Sequence, residues 1–147
     1  MKIGFHNSIE EISKNEWNSL LNDINYPFLK HDFLQLLENT NCVGAKTGWI
    51  PLHITVSKDN SLLAAMPLYL KSHSQGEFVF DHSWANAFYQ HGLDYYPKLV
   101  SSIPHTPASG PRFLIKEGEN KKELFEMIKK GVKSIAAKNN ISSWHIL

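Results

Sequence analysis

Residues 76–112 constrain this chain more than any other stretch. Within them fall seven of the seventeen aromatic residues (Phe78, Phe80, Trp84, Phe88, Tyr89, Tyr95 and Tyr96), three of the eight histidines and four of the seven prolines. A purely internal segment would show cleaner periodicity, because buried His, Asp and Lys need partners that apolar packing does not supply. A purely external loop would not carry so many rings, each of which forgoes roughly 1.5–3 kcal/mol of burial when left in water. The stretch therefore predicts a half-buried wall, with rings packed beneath and polar tips facing a cleft.

The residues before it alternate between strand and helix signals. Residues 2–6 read as a strand. Ser8 with Glu11 and Ser13 with Glu16 both match the capping box, and the second starts the better helix. Trp17, Leu20, Leu21 and Ile24 then recur at helical spacing. Pro27 ends that helix. A second helix is expected with Asp32 as N-cap, Gln35 as its reciprocal partner and Phe33, Leu36 and Leu37 as the buried face. After a loop at 44–48, Leu52, Ile54 and Val56 alternate with His53, Thr55 and Ser57, and the turn at 58–61 leads into a second run at 62–71, which predicts a hairpin. Pro67 cannot donate to a ladder and belongs at a bulge or an open edge.

Beyond the aromatic stretch, residues 98–103 read as a strand and Phe113 to Ile115 are too few to classify. Asn120 caps the longest helical pattern, with Glu123 at the reciprocal position and Leu124, Phe125, Ile128, Val132 and Ile135 on one face. Its lysines lie largely off that face and read as solvated. Gly131 costs roughly 1 kcal/mol relative to Ala in mid-helix. Residues 141–147 look like a strand, which must be well paired or else offer an edge to another chain. There is no repeat and no linker, so residues 1–147 are expected to form one domain.

The order of elements indicates a mixed α/β domain, with a mostly antiparallel central sheet flanked by helices. A net charge of +1 offers no general attraction for polyanions, so DNA is not an expected partner. The single cysteine, Cys42, cannot form an internal disulfide. With no apolar run long enough to span a bilayer and no signal-peptide pattern, the expected location is cytoplasmic. His82, His91 and His105 with Asp81 or Asp94 lack the short spacing of a zinc site, and no metal is expected. There is no nucleophile elbow and no phosphate-binding glycine loop with Lys and Ser or Thr.

The element order is similar to that of Gcn5-related N-acetyltransferases. Longer motifs carry a second likeness: Pro27-Phe28, residues 48–53, residues 66–81, Tyr95 to Leu99 and residues 104–112 resemble the predicted N-acyltransferases described as FemAB-like or peptidoglycan-biosynthesis-like. The resemblance implies transfer of an acyl or aminoacyl group to an amine, with a small-molecule acyl donor and an amine acceptor as partners and acyl-CoA as a donor. It also implies that a loop between residues 103 and 120 holds the donor, with Thr106, Ser109, Gly110 and Arg112 as its binding residues. The glycine-spaced pyrophosphate motif of acetyltransferases is not matched, since Gly110 stands alone between Ser109 and Pro111. The family pattern includes a second, similar half, so this chain is expected to be the first half of such a protein, completed by that half or by a homodimer.

Arg112 could grip an anion through its fork or pair with a nearby carboxylate. His105, Tyr96 and Asp81 are the catalytic candidates: the histidine to deprotonate an attacking ammonium, the phenol as a late acid, the carboxylate to hold the amine. Asp81 could equally cap a helix beginning near Trp84. Glu77, Trp84, Tyr95 and Lys98 are candidates for the substrate wall, although tyrosines in such runs are commonly packed rings with wet tips. The alternative function is a non-catalytic module that recognises a peptide, an amino sugar or a partner protein through its aromatic wall.

Overall fold

The computed structural model describes residues 1–22, 25–78 and 81–147; Ile24 of the expected stripe and Phe80 of the aromatic stretch lie outside them. Among the described residues the strands form two four-stranded sheets. The first has the order β1 (Lys2–His6), β3 (His53–Lys58), β4 (Ser61–Met66), β7 (Leu114–Ile115), all antiparallel. The second has the order β2 (Trp49–Pro51), β5 (Tyr69–Lys71), β6 (Lys98–Ser101), β8 (Trp144–Ile146); its last pair is parallel.

One long hairpin joins the sheets. Its turn is Asp59-Asn60, both at positive φ (49° and 60°), a conformation that Asn and Asp tolerate better than most residues. Pro67 stands at neither a bulge nor an open edge but at a break that divides the second arm into β4 and β5. The backbone stays tied across the break, because Leu52 N donates to Leu68 O at 2.9 Å and Leu68 N donates to the His53 ring at 3.4 Å. His53 in turn meets Glu38 at 3.1 Å.

Helices α1 (Lys14–Ser19) and α2 (His31–Asn39) contribute Trp17, Leu34 and their neighbours to a core that includes Leu62, Ala65 and Leu114. Helix α4 (Lys121–Lys138) packs Leu124, Ile128 and Val132 against Ile54, Val56, Leu63 and Met66. Gly131 is buried there, and a Cβ on it would lie 2.9 Å from Ile54 Cδ1. Asn120 caps α4 by accepting from Glu123 N at 3.2 Å.

Three local expectations are corrected. Asp32 is not a cap: α2 begins at His31, Asp32 pairs with Lys14 at 2.8 Å, and Gln35 donates to Glu10 instead. The buried residues of α2 are His31 and Leu34, Phe33 and Leu37 pack against the core partly buried, and Leu36 is exposed; the helix starts two residues earlier than the cap reading placed it. Ser13 does cap α1, but Glu16 reaches Leu62 N at 3.1 Å in place of the reciprocal bond.

Candidate functional site

Strand β5 ends on Lys71 and β6 begins on Lys98, and the two lysines face each other in register with 0% exposure. Two buried ammonium groups require partners, since an unpaired internal charge costs several kcal/mol. Lys98 Nζ donates to Glu77 Oε2 at 2.7 Å and to Asp81 Oδ2, and the rings of Tyr95 and Tyr96 flank it at 5.6 and 5.9 Å. Tyr95 donates its hydroxyl to the same Asp81 oxygen at 2.7 Å. Lys71 donates to Gln75 O at 2.9 Å and lies 3.9 Å from the centroid of the Trp49 ring.

The surroundings move each group in a definite direction. Burial raises the Asp81 carboxyl, but hydrogen bonds from Lys98, Ser74 and Tyr95 outweigh it and hold Asp81 down at about 2. At Glu77 burial wins over Lys98, and its carboxyl titrates above the ordinary range. Burial lowers Lys71 to about 8; Lys98 adds to the effect and Glu77 opposes it. Burial and the bond to Asp81 push the Tyr95 phenol up.

Beside this network is a cleft of about 390 Å³ at the carboxyl ends of the parallel pair β6 and β8, where open α/β sheets commonly bind ligands. Trp49, residues 76–78 and the loop that follows β6 form its walls, with Leu147. Three buried polar atoms of these lining residues have no hydrogen-bond partner among the described residues: Trp49 Nε1, Glu77 Oε1 and Ser102 Oγ. Gly76 stands at φ 77°, where a Cβ would meet Trp49 Nε1 at 2.8 Å and the His105 ring at 2.6 Å.

Of the residues singled out in the sequence, Glu77, Thr106, Ser109, Gly110 and Arg112 line this cleft. Asp81, Tyr95 and Lys98 lie in the buried network behind Glu77, and Tyr96 is half-buried with its hydroxyl 2.6 Å from Ser74 Oγ. His105 sits at φ 55° with Nε2 3.1 Å from Cys42 O and its ring 5.6 Å from Trp49. Asp81 occupies the N-cap position of helix α3 (His82–Gln90), but its carboxylate makes no capping bond. Trp84, on α3, is 66% exposed and is not part of the cleft wall. Sequence reading missed Trp49, Ser102 and Lys71; a lysine two residues past Tyr69 on one strand face was the available signal for Lys71.

Among the described residues Arg112 pairs with no Asp or Glu side chain. Its guanidinium donates to the backbone oxygens of Leu147 (2.6 Å), Ala108 (2.6 Å) and Gly110 (3.2 Å), which shapes the loop. Among the described residues, no group of three or more His, Cys, Asp or Glu could hold a metal, and no helix is long and apolar enough to cross a membrane.

A family model described as FemAB-like, peptidoglycan biosynthesis/recognition, matches residues 8–147. The chain belongs to the FemAB-like family. Among solved structures, this FemAB-like chain is similar to the aminoglycoside antibiotic 6'-N-acetyltransferase AAC(6')-IG from Acinetobacter haemolyticus in its apo form. The TM-score is 0.53 at 13% identity, covering 100% of this chain and 79% of that one. The likeness establishes an acetyltransferase-like fold. No curated protein sequence matches the chain.

The pyrophosphate of a CoA donor would need free amides, a helix N-terminus or an available cation. Pro104, Pro107 and Pro111 have no amide hydrogen, and three backbone oxygens already engage Arg112. Lys121 and Lys122, in the first turn of α4, line a separate apolar hollow with Phe113 and Phe125.

Proposed function

We propose that this domain is the amine-acceptor part of an N-acyltransferase, and that the ammonium to be acylated enters the cleft against Glu77. The observation that carries this reading is the unpartnered Oε1 of a buried carboxylate whose other oxygen is pinned by Lys98. A carboxyl raised by burial suits the task, because it can take a proton from an ammonium more readily than an ordinary glutamate can. The ammonium gives one proton to Glu77, and the neutral nitrogen adds to the acyl carbon. The C–N bond forms, the leaving group departs with the electrons of its bond to that carbon, and it carries off the second nitrogen proton. Asp81, Lys98 and Tyr95 hold Glu77 in place and do not touch the reacting atoms.

The donor, an acyl-CoA or an aminoacyl carrier, is gripped by a second half or a second copy of this domain, since Pro104, Pro107 and Pro111 supply no amide hydrogen and the guanidinium of Arg112 is already engaged. Titration with N-acetyl-lysine methylamide, followed by calorimetry, tests the acceptor role. Saturable binding that weakens at least tenfold in Glu77→Gln is expected, with unchanged circular dichroism; absence of saturable amine binding overturns the reading. A thermal-shift panel of acyl-CoA thioesters separates the donor classes: no shift is expected here, and stabilisation by any of them places the donor in this half.

The engagement of Arg112 by three backbone oxygens favours one other reading, a module that recognises an amine-bearing ligand without turning it over. Amine binding that persists with no acyl transfer when both halves and a donor are present would select it.

A further inference from the structure

Glu77 accounts for one of the three unpartnered polar atoms of the cleft residues and leaves the Trp49 indole N–H and the Ser102 hydroxyl unassigned. Both can donate, and both belong to residues that line the cleft. The other tryptophans are placed differently: Trp17 donates to Leu29 O at 2.8 Å, Trp144 to Ser101 Oγ at 3.0 Å, and Trp84 lies largely in solvent. The Trp49 ring is fixed edge-on by Tyr69 at 5.4 Å, and the Lys71 ammonium lies over its face. A cation over an indole draws density from the ring and strengthens its N–H as a donor. Gly76 keeps a side chain off that N–H, since a Cβ there would lie 2.8 Å from it.

We propose that Trp49 Nε1–H and Ser102 Oγ–H receive the carbonyl oxygen of the acyl group, with Lys71 polarising the indole. The assignment rests on the acyl-transfer reading of this cleft. The carbonyl oxygen gains negative charge as nitrogen adds, and donors fixed before the reaction stabilise it most at that point. Trp49 and Ser102 touch the reacting group; Lys71 is a positioning residue that acts through the ring.

The experiment follows the indole N–H signals of the ¹⁵N-labelled full chain during titration with S-acetyl-N-acetylcysteamine, a thioester without a nucleotide. The Trp49 signal, assigned by its loss in Trp49→Phe, is expected to move downfield and saturate. Ser102→Ala and Lys71→Met should each weaken the effect about three- to tenfold. Wild-type protein supplies an arm that needs no substitution. Raising the pH from 7 to 9.5 removes the Lys71 charge, which burial, Lys98 and Glu77 together set at about 8. The thioester should bind more weakly at the higher pH, and Lys71→Met should lose this dependence. His73, whose own titration feels Lys71, is neutral throughout that range.

A Trp49 signal that stays still while the lysine-derived amine binds overturns this proposal and leaves the acceptor reading standing. Movement of the Trp49 signal without amine binding supports the oxygen site and removes the role of Glu77. Failure of both ligands to bind overturns both.

Discussion

Glu77 and Asp81 show how two carboxylates on one ammonium come to differ. Each leaves its other oxygen without a partner among the described residues, but Asp81 accepts from both Lys98 and Tyr95 and is held down at about 2, whereas Glu77 accepts from Lys98 alone, lines the cleft and is raised by burial. Because an ammonium requires the ionised carboxylate, amine affinity should fall as the pH drops through the raised Glu77 value, earlier than for an ordinary glutamate. Calorimetric titrations between pH 4 and 8 measure it. Stability behaves differently. A depressed folded value means that the contribution of Asp81 is complete above the usual carboxylate range and is lost as pH falls toward 2. Lys98→Met leaves two buried carboxylates without their cation and should cost about 3–5 kcal/mol in urea unfolding, against about 1–2 kcal/mol for Tyr95→Phe. Glu77, Asp81, Tyr95 and Lys98 could be picked out from the sequence because polar groups so close to many rings must satisfy one another. Trp49 and Ser102 could not, since their significance is the lack of a partner, which only the packed chain reveals.

Among the elements, helix ends separate what sequence specifies from what packing overrides. Asn120 does cap α4, and Asn120→Ala should cost about 1 kcal/mol. Asp32→Ala should change stability by no more than about 0.5 kcal/mol, because Asp32 only pairs with Lys14 at the surface. Thermal melts of the two variants make the comparison. The cap rule named Asp32 from its residue type; the chain instead starts α2 at His31, whose Nε2 lies 2.9 Å from Ile9 O, so tertiary contact decided the boundary. Gly131 is a second override. Its propensity penalty is offset by close packing, so Gly131→Ala in wild type should gain little from helix propensity. In an Ile54→Val background, which removes the Cδ1 atom 2.9 Å from the added Cβ, the same change should become stabilising. Urea denaturation of the four proteins should show a coupling of about 1 kcal/mol.

At the scale of the molecule, the hairpin that runs through both sheets makes them one structural unit. Trp17 lies in the core of the first sheet and Trp49 in that of the second, so unfolding followed by single-tryptophan variants should give coincident transitions. Separated midpoints would show that the kink at Pro67 uncouples the sheets. The strand order was not legible in the sequence, because period-2 patterns identify strands but not their neighbours. The parallel pairing of β6 with β8, on which the cleft depends, also bears on the timing of folding. The hairpin turn closes between adjacent segments and can form in microseconds, but β6 must wait for a partner more than forty residues away, and such distant pairings are slow. Until residues 144–147 have docked on β6, the cleft lacks the wall that Leu147 supplies and Arg112 lacks one of its three backbone oxygens. A chain emerging from the ribosome therefore acquires its hairpin first and its ligand site last.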